Sequence, residues 1–224
     1  MTQAEEKLKV GLAAAELAEA GMTLGLGTGS TAGAFIEAVA KRKLDVRCVA
    51  TSEATAAMAK RLGLNVVGLD AVAEIDLTVD GVDEVDKGLQ AVKGGGGALM
   101  REKIVASLSK QIVYIGDSSK LVDVLGKFPL PVEVSAFAMP AIKRDLEAFG
   151  AKTTLRMANG KPFVSDEGHW ILDAGFGEIP DPDEMDIFLN MTPGVVCHGL
   201  FIEMIDRMLI ARGGRIEELT PPNR

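Results

Sequence analysis

Between residues 21 and 117, short apolar runs rich in β-branched side chains alternate with stretches of helical periodicity. "MTLGLG" (22–27), "DVRCVAT" (45–51), "LNVVGL" (64–69), "EIDLTVD" (74–80) and "QIVYIGD" (111–117) read as strands. "STAGAFIEAVAKR" (30–42), "SEATAAMAKRLG" (52–63) and "ALMREKIVASLSK" (98–110) read as the helices among them, with Ser52 as an N-cap and Gly63 as a stop. Near-continuous apolar strands alternating with helices predict a mostly parallel sheet covered on both faces. An amphipathic helix over 3–20, carrying Leu8, Leu12 and Leu17 and closed by Gly21, precedes them.

The rhythm changes at "GKFPLPVEV" (126–134), where two prolines interrupt it. The order that follows is strand, helix, strand, turn, strand, helix, strand, ending with "GVVCHGLF" (194–201) as one strand. That βαββαβ order is the split pattern of a ferredoxin-like sandwich, and "ANGK" (158–161) supplies an Asn-Gly hairpin signal. The tail "RMLIARGGRIEELTPPNR" (207–224) reads as a hairpin returning to the first domain. The expected fold is therefore α/β, a Rossmann-like, mostly parallel sheet domain (1–129 plus 205–224) with a smaller ferredoxin-like α+β domain (130–204).

Composition narrows the function. A net charge of -8 argues against general nucleic-acid binding, which recruits lysine and arginine. Cys48 and Cys197 sit in apolar runs and His169 and His198 stand far apart, so no zinc-ligand spacing is present. The N-terminus is charged and amphipathic and no apolar stretch approaches a membrane span, an expectation of a cytoplasmic protein without membrane attachment.

Three stretches follow strand ends, where open α/β sheets place ligands. In "GLGTGSTAG" (25–33), Gly27, Gly29 and Ala32 loosely match a dinucleotide fingerprint, but Glu53 is 26 residues beyond Gly27, poorly placed for a ribose-binding acid. The hydroxyls of Thr28, Ser30 and Thr31 at a helix N-terminus suit a single phosphate, while a plain N-cap with a tight turn is the simpler alternative. In "DLTVDGVDEVD" (76–86), Asp80, Asp83, Glu84 and Asp86 can be a solvated turn, magnesium ligands, or acid–base groups acting on a sugar hydroxyl. "KGGGGALMREK" (93–103) has the form of a glycine cradle opening into a helix, with Glu102 in the first turn, where the helix dipole favours negative charge. It is not a Walker A loop, because its lysine precedes the glycines; a helix-starting acid without a role is the alternative.

"GTGST" (27–31), "DGVDE" (80–84), "KGGGGALMREK" (93–103) and "DSSKLVDVLGKFPLPVEV" (117–134) occur together and in this order. With them the chain resembles the ribose-5-phosphate isomerase type A family, from the N-terminal lysines to "PGVV…GLF" near residue 200. The family usually has alanine at the position of Val82 and threonine or leucine at Met100, and neither change touches a polar group. The resemblance implies a metal-free, cofactor-free interconversion of D-ribose 5-phosphate and D-ribulose 5-phosphate, in the pentose phosphate pathway of carbohydrate metabolism, by a homodimer or homotetramer. It implies that Glu102 moves a proton between C1 and C2 through an enediolate, and that Asp80, Asp83 and Lys93 hold the sugar hydroxyls and stabilise developing charge. Lys7, Thr28, Gly29, Ser30, Thr31 and Lys120 would bind the phosphate, and Gly81, Val82, Gly94, Gly95 and Gly96 would line the substrate. A sugar-phosphate sensor on the same fold would keep the hydroxyl loop but lose Glu102 or Lys93, and both are present. A nicotinamide dehydrogenase accounts for neither "DGVDE" nor "KGGGG".

Overall fold

The computed structural model describes residues 1–222, and the chain divides into two compact units. The first comprises Met1–Val82, Arg101–Lys120 and the described residues from Met204 on; the second comprises Asp83–Met100 and Leu121–Glu203.

The first unit is built on a seven-stranded sheet. Its order is Arg215–Leu219, Arg207–Arg212, Ile112–Asp117, Leu77–Gly81, Thr23–Leu26, Arg47–Ala50, Asn65–Val66. All neighbours run parallel except the terminal pair, an antiparallel hairpin added at the edge by the tail; residues 223 and 224 of that stretch lie outside the described residues. The expected sheet class follows from the strands themselves, since Thr23–Leu26 and Ile112–Asp117 are buried along their whole length. Leu24, Leu26, Leu77, Val79, Val113 and Ile115 pack with Val10, Phe35 and Val39 into one core.

The first helix differs from expectation at both its end and its face. It spans Gln3–Ala15, opened by a capping box between Thr2 and Glu5, and tightens beyond Ala15 into i→i+3 bonds from Leu17 to Ala14 and from Ala18 to Ala15. Leu8 and Leu12 lie on its exposed side, and the buried residues are Glu6, Val10, Gly11, Ala14 and Ala15. The reason is close approach to the helix Ser30–Arg42: a Cβ on Gly11 would stand 2.7 Å from the Phe35 backbone nitrogen and from Ala34 Cβ. At that separation position 11 has no room for a side chain; Leu8 and Leu12 turn outward, while Leu17, beyond the helix, packs against the core as expected.

The second unit holds a four-stranded antiparallel sheet in the order Val195–His198, Leu130–Val134, Trp170–Gly175, Lys152–Leu155. With the helices Met139–Ala148 and Pro182–Met191 this is the ferredoxin-like arrangement expected from the βαββαβ order. One sheet face, carrying Val132, Val134, Leu172 and Ala174, packs against Ile142, Leu146 and Leu189 of the helices. The Asn-Gly turn forms as expected between Met157–Ala158 and Lys161–Pro162, with Asn159 at φ 51° and Gly160 at φ 75°.

"GVVCHGLF" is two strands. Val195–His198 joins the four-stranded sheet, whereas Leu200–Phe201 pairs with Ala91–Val92, which pairs in turn with Glu84–Val85. The change of sheet occurs at Gly199, whose N–H donates to the Pro131 carbonyl and whose carbonyl accepts from the Lys93 N–H, both at 2.8 Å.

Candidate active site

In the first unit, Asp80 is the penultimate residue of the strand Leu77–Gly81 and is only 1% exposed. Its Oδ1 accepts from the Thr28 N–H at 3.0 Å and the Gly81 N–H at 2.7 Å, so one carboxylate fixes both loops at this end of the sheet. The contact leaves no room at Gly27, where a Cβ would come within 2.0 Å of Asp80 Oδ1. Gly29 then starts the helix Ser30–Arg42 without a side-chain cap, and Ser30 and Thr31 occupy its first turn. Lys7 Nζ donates to Ser30 Oγ at 3.2 Å. A lysine, a hydroxyl and helical N–H groups thus gather at one helix start, the chemistry that recognises a phosphate monoester.

Thr28 faces a different set of partners. Its hydroxyl lies 2.7 Å from that of Thr51, 2.9 Å from Ser52 and 3.2 Å from Thr55. Thr51 and Thr55 pass the network on to the carbonyls of Leu26 and Gly27. Sequence reading assigns Ser52 only its N-cap, which it does form with the Thr55 N–H. The run "TSEAT" (51–55), three hydroxyls directly after a strand, is the signal that could have announced the cluster.

Lys120 ends the short turn Ser118–Lys120 beside Asp117. Burial would push the Asp117 carboxyl up, but hydrogen bonds from Ser119 and Gln3, with the Lys120 charge, outweigh it and hold the group below its usual 3.8. Gly81 and Val82 follow Asp80 directly, Val82 being buried.

Glu102 lies in the first turn of the helix Leu99–Ser107 and is 4% exposed. Its neighbour Arg101 pairs with Glu53 at 2.8 Å, which ties this helix to Glu53–Arg61. A carboxylate held in a largely dry place at a helix start is suited to proton transfer.

The second unit carries Asp83, Lys93 and the glycine run. Gly94 and Gly97 adopt φ values of 99° and 81°, and the Gly97 N–H closes a turn on the Gly94 carbonyl at 2.9 Å. Both values lie where side chains other than glycine are strained. The exposed tip is Gly95–Gly96, and the Gly95 N–H donates to Asp83 Oδ2 at 2.7 Å. Lys93, 2% exposed, places its ammonium 5.4 Å from the centroid of the Phe201 ring.

The acids after Asp83 hold backbone. Glu84 accepts from the N–H groups of Gly126 and Phe128, and Asp86 from that of Gln90. Among the described residues no group of three or more His, Cys, Asp or Glu side chains is placed to hold a metal ion. Also among them, no helix is long and apolar enough to cross a membrane.

Residues 47–214 match the family model of ribose 5-phosphate isomerase A (phosphoriboisomerase A). A ribose-5-phosphate isomerase A of Sphingopyxis alaskensis is 50% identical over 200 residues, 88% of each chain. One of Sinorhizobium medicae is 47% identical over 220 residues, 94% of this chain and 95% of its own. Among solved structures, a D-ribose-5-phosphate isomerase in complex with phospho-erythronic acid superposes with a TM-score of 0.95 at 36% identity, covering 98% of this chain and 100% of that one. The ribose 5-phosphate isomerase of Plasmodium falciparum gives 0.93 at 37% identity over 98% of this chain and 99% of that one. The chain belongs to the ribose 5-phosphate isomerase A family.

Proposed function

We propose that this protein interconverts D-ribose 5-phosphate and D-ribulose 5-phosphate, with Glu102 carrying a proton between C1 and C2 through an enediolate. The observation that carries this reading is Glu102 itself, an acid 4% exposed in the first turn of the helix that the glycine run opens into. A carboxylate can take the proton from one carbon and return it to the next with little movement, and low exposure keeps water from competing for it. Asp80, Asp83 and Lys93 hold the sugar hydroxyls and stabilise the charge that develops on oxygen, with Gly81, Val82 and Gly94–Gly96 against the substrate. Ser30, Thr31 and Lys7, with Thr28, Gly29 and Lys120, bind the phosphate; the Lys7–Ser30 hydrogen bond at the helix start supports this half.

The enzyme works in the cytoplasm as a homodimer or homotetramer, within the pentose phosphate pathway, and needs neither cofactor nor metal. A lysine and backbone donors can supply the positive field an enediolate requires. A role in binding alone has no support from the relatives, which are named as isomerases. The test is a coupled assay of ribose 5-phosphate turnover with and without EDTA. Turnover insensitive to EDTA is expected, with free ribose a far poorer substrate. Absence of turnover would overturn the assignment, and loss to EDTA restored by magnesium would make the acids metal ligands.

A further inference from the structure

The turn Gly94–Gly97 has no side chains with which to hold its own shape, so its geometry must be imposed from outside. The second unit supplies one such restraint. Arg156 Nη1 donates to the Gly94 carbonyl at 2.9 Å and to the Gly95 carbonyl at 3.2 Å. Its Nε donates to Asp173 Oδ2 at 3.0 Å and its Nη2 to Asp173 Oδ1, a two-pronged pair with side chains 15% and 25% exposed. The arginine is itself anchored. Its N–H donates to the Ile171 carbonyl at 2.8 Å, and its carbonyl accepts from the Phe163 N–H at 2.9 Å. The Phe163 ring lies 5.9 Å from the guanidinium carbon and fills the space a Cβ on Gly97 would need, 2.5 Å away.

A peptide group is planar and trans, so fixing its carbonyl fixes the N–H on its other side. By holding the Gly94 carbonyl, Arg156 aims the Gly95 N–H, which goes to Asp83. By holding the Gly95 carbonyl, it aims the Gly96 N–H in the opposite direction, away from the guanidinium. The Gly96 N–H makes no hydrogen bond among the described residues, and Gly96 is exposed. Because Arg156 and Asp173 form a neutral pair, what they lend the turn is orientation and not charge.

We infer that Arg156, backed by Asp173, is a positioning residue of the isomerisation: it aims the Gly96 N–H at a substrate oxygen that becomes negative in the enediolate and holds Asp83 through Gly95. This rests on the isomerase reading above. Lysine cannot replace the arginine here, since one ammonium cannot reproduce the planar fork to Asp173 while reaching two carbonyls.

The experiment is steady-state kinetics of Arg156→Lys with ribose 5-phosphate across pH, together with inhibition by phospho-erythronic acid. That acid carries a phosphate and a planar, charged carboxylate, and so resembles the enediolate more than the sugar. A donor misplaced by a fraction of an ångström should cost kcat on the order of 10- to 100-fold. KM should stay within roughly twofold, and the inhibition constant should rise by about the factor that kcat/KM falls. The pH limbs should not move. A kcat within about twofold of wild type overturns the inference, since a transition-state contact was the premise. So does a fall in kcat with inhibitor affinity unchanged, which marks a smaller folded fraction. If Arg156→Lys does not fold, Asp173→Asn is judged by the same criteria. A wild-type enzyme inert toward ribose 5-phosphate overturns the isomerase reading and this inference with it, before any variant is compared.

Discussion

Replacing Glu84 by glutamine separates an acid that holds metal from one that holds the chain. Glu84 is 4% exposed, and its two oxygens accept from the Gly126 N–H at 2.8 Å and the Phe128 N–H at 2.6 Å. Glutamine has one acceptor oxygen, so its amide nitrogen must face one of these two donors. One charge-assisted bond becomes neutral, and the other becomes a contact between donors in a place water reaches poorly. Stranding one buried N–H and weakening its neighbour should together cost roughly 2–4 kcal/mol. For a chain of this length each kcal/mol lowers Tm by about 2–4 °C, so a drop of roughly 5–15 °C is expected. The assay is thermal unfolding followed by circular dichroism, with and without added magnesium, alongside turnover at 25 °C. The folded enzyme should keep turnover within about twofold, because the change breaks no contact assigned to the transition state. A Tm within about 2 °C of wild type would refute the reasoning. Wild-type turnover that requires magnesium and is lost in Glu84→Gln would refute it from the other side.

Glu102→Gln keeps shape and removes the base: turnover should fall by roughly 10²–10⁴-fold while ribose 5-phosphate binding by calorimetry is retained, and Asp83→Asn should cost less. Near-normal turnover in a folded Glu102→Gln enzyme would assign the proton to another carboxylate. Ser30→Ala removes a hydroxyl that accepts from Lys7 and should raise KM for ribose 5-phosphate roughly tenfold, the worth of one charge-assisted hydrogen bond, with kcat little changed. Asp117 titrates below its ordinary 3.8 in the folded chain, so it stabilises the first unit above that pH and the contribution is lost as pH falls through the lower folded value. Asp117→Asn should accordingly flatten the acid limb of a stability-against-pH curve measured by denaturant titration, and an unchanged limb would refute the linkage.

The parallel sheet was legible because its strands are buried on both faces and so read as near-continuous apolar runs; Ile112–Asp117, apolar up to its last residue, is the clearest case. The Asn159–Gly160 turn was legible for a local reason, since both residues take the positive φ that their chemistry tolerates. Gly11 was not, because a glycine in a helix carries no mark of the neighbouring helix that requires it. Nor were Glu84–Val85, Ala91–Val92 and Leu200–Phe201, two-residue strands too short to show any period. Leu200–Phe201 in particular is defined by pairing with a segment about a hundred residues earlier. Around the candidate site the motif residues could be named from sequence. The hydroxyls of Thr51 and Thr55 left a local trace in "TSEAT", whereas Arg156 and Asp173 meet across neighbouring strands and their spacing leaves no pattern to read.

The tail hairpin sets the order in which the chain can mature on a ribosome. The strand Ile112–Asp117 has Leu77–Gly81 on one side, and its other side pairs with Arg207–Arg212. The first helix waits for the same segment: Glu6 accepts from the Gly213 N–H at 3.3 Å, and Lys9 donates to the Gly214 carbonyl. At about 5–20 residues per second, the interval between making the two strands is on the order of 5–20 seconds. During that time a mostly apolar strand, buried throughout in the finished fold, has an open edge able to pair with another nascent chain. The strands of the four-stranded sheet, 130–198, all leave the ribosome before the tail does. The unit that begins later in sequence is therefore the first with every strand of its main sheet in hand, and a stop codon placed after residue 203 would release a chain whose first unit stays open at Ile112–Asp117.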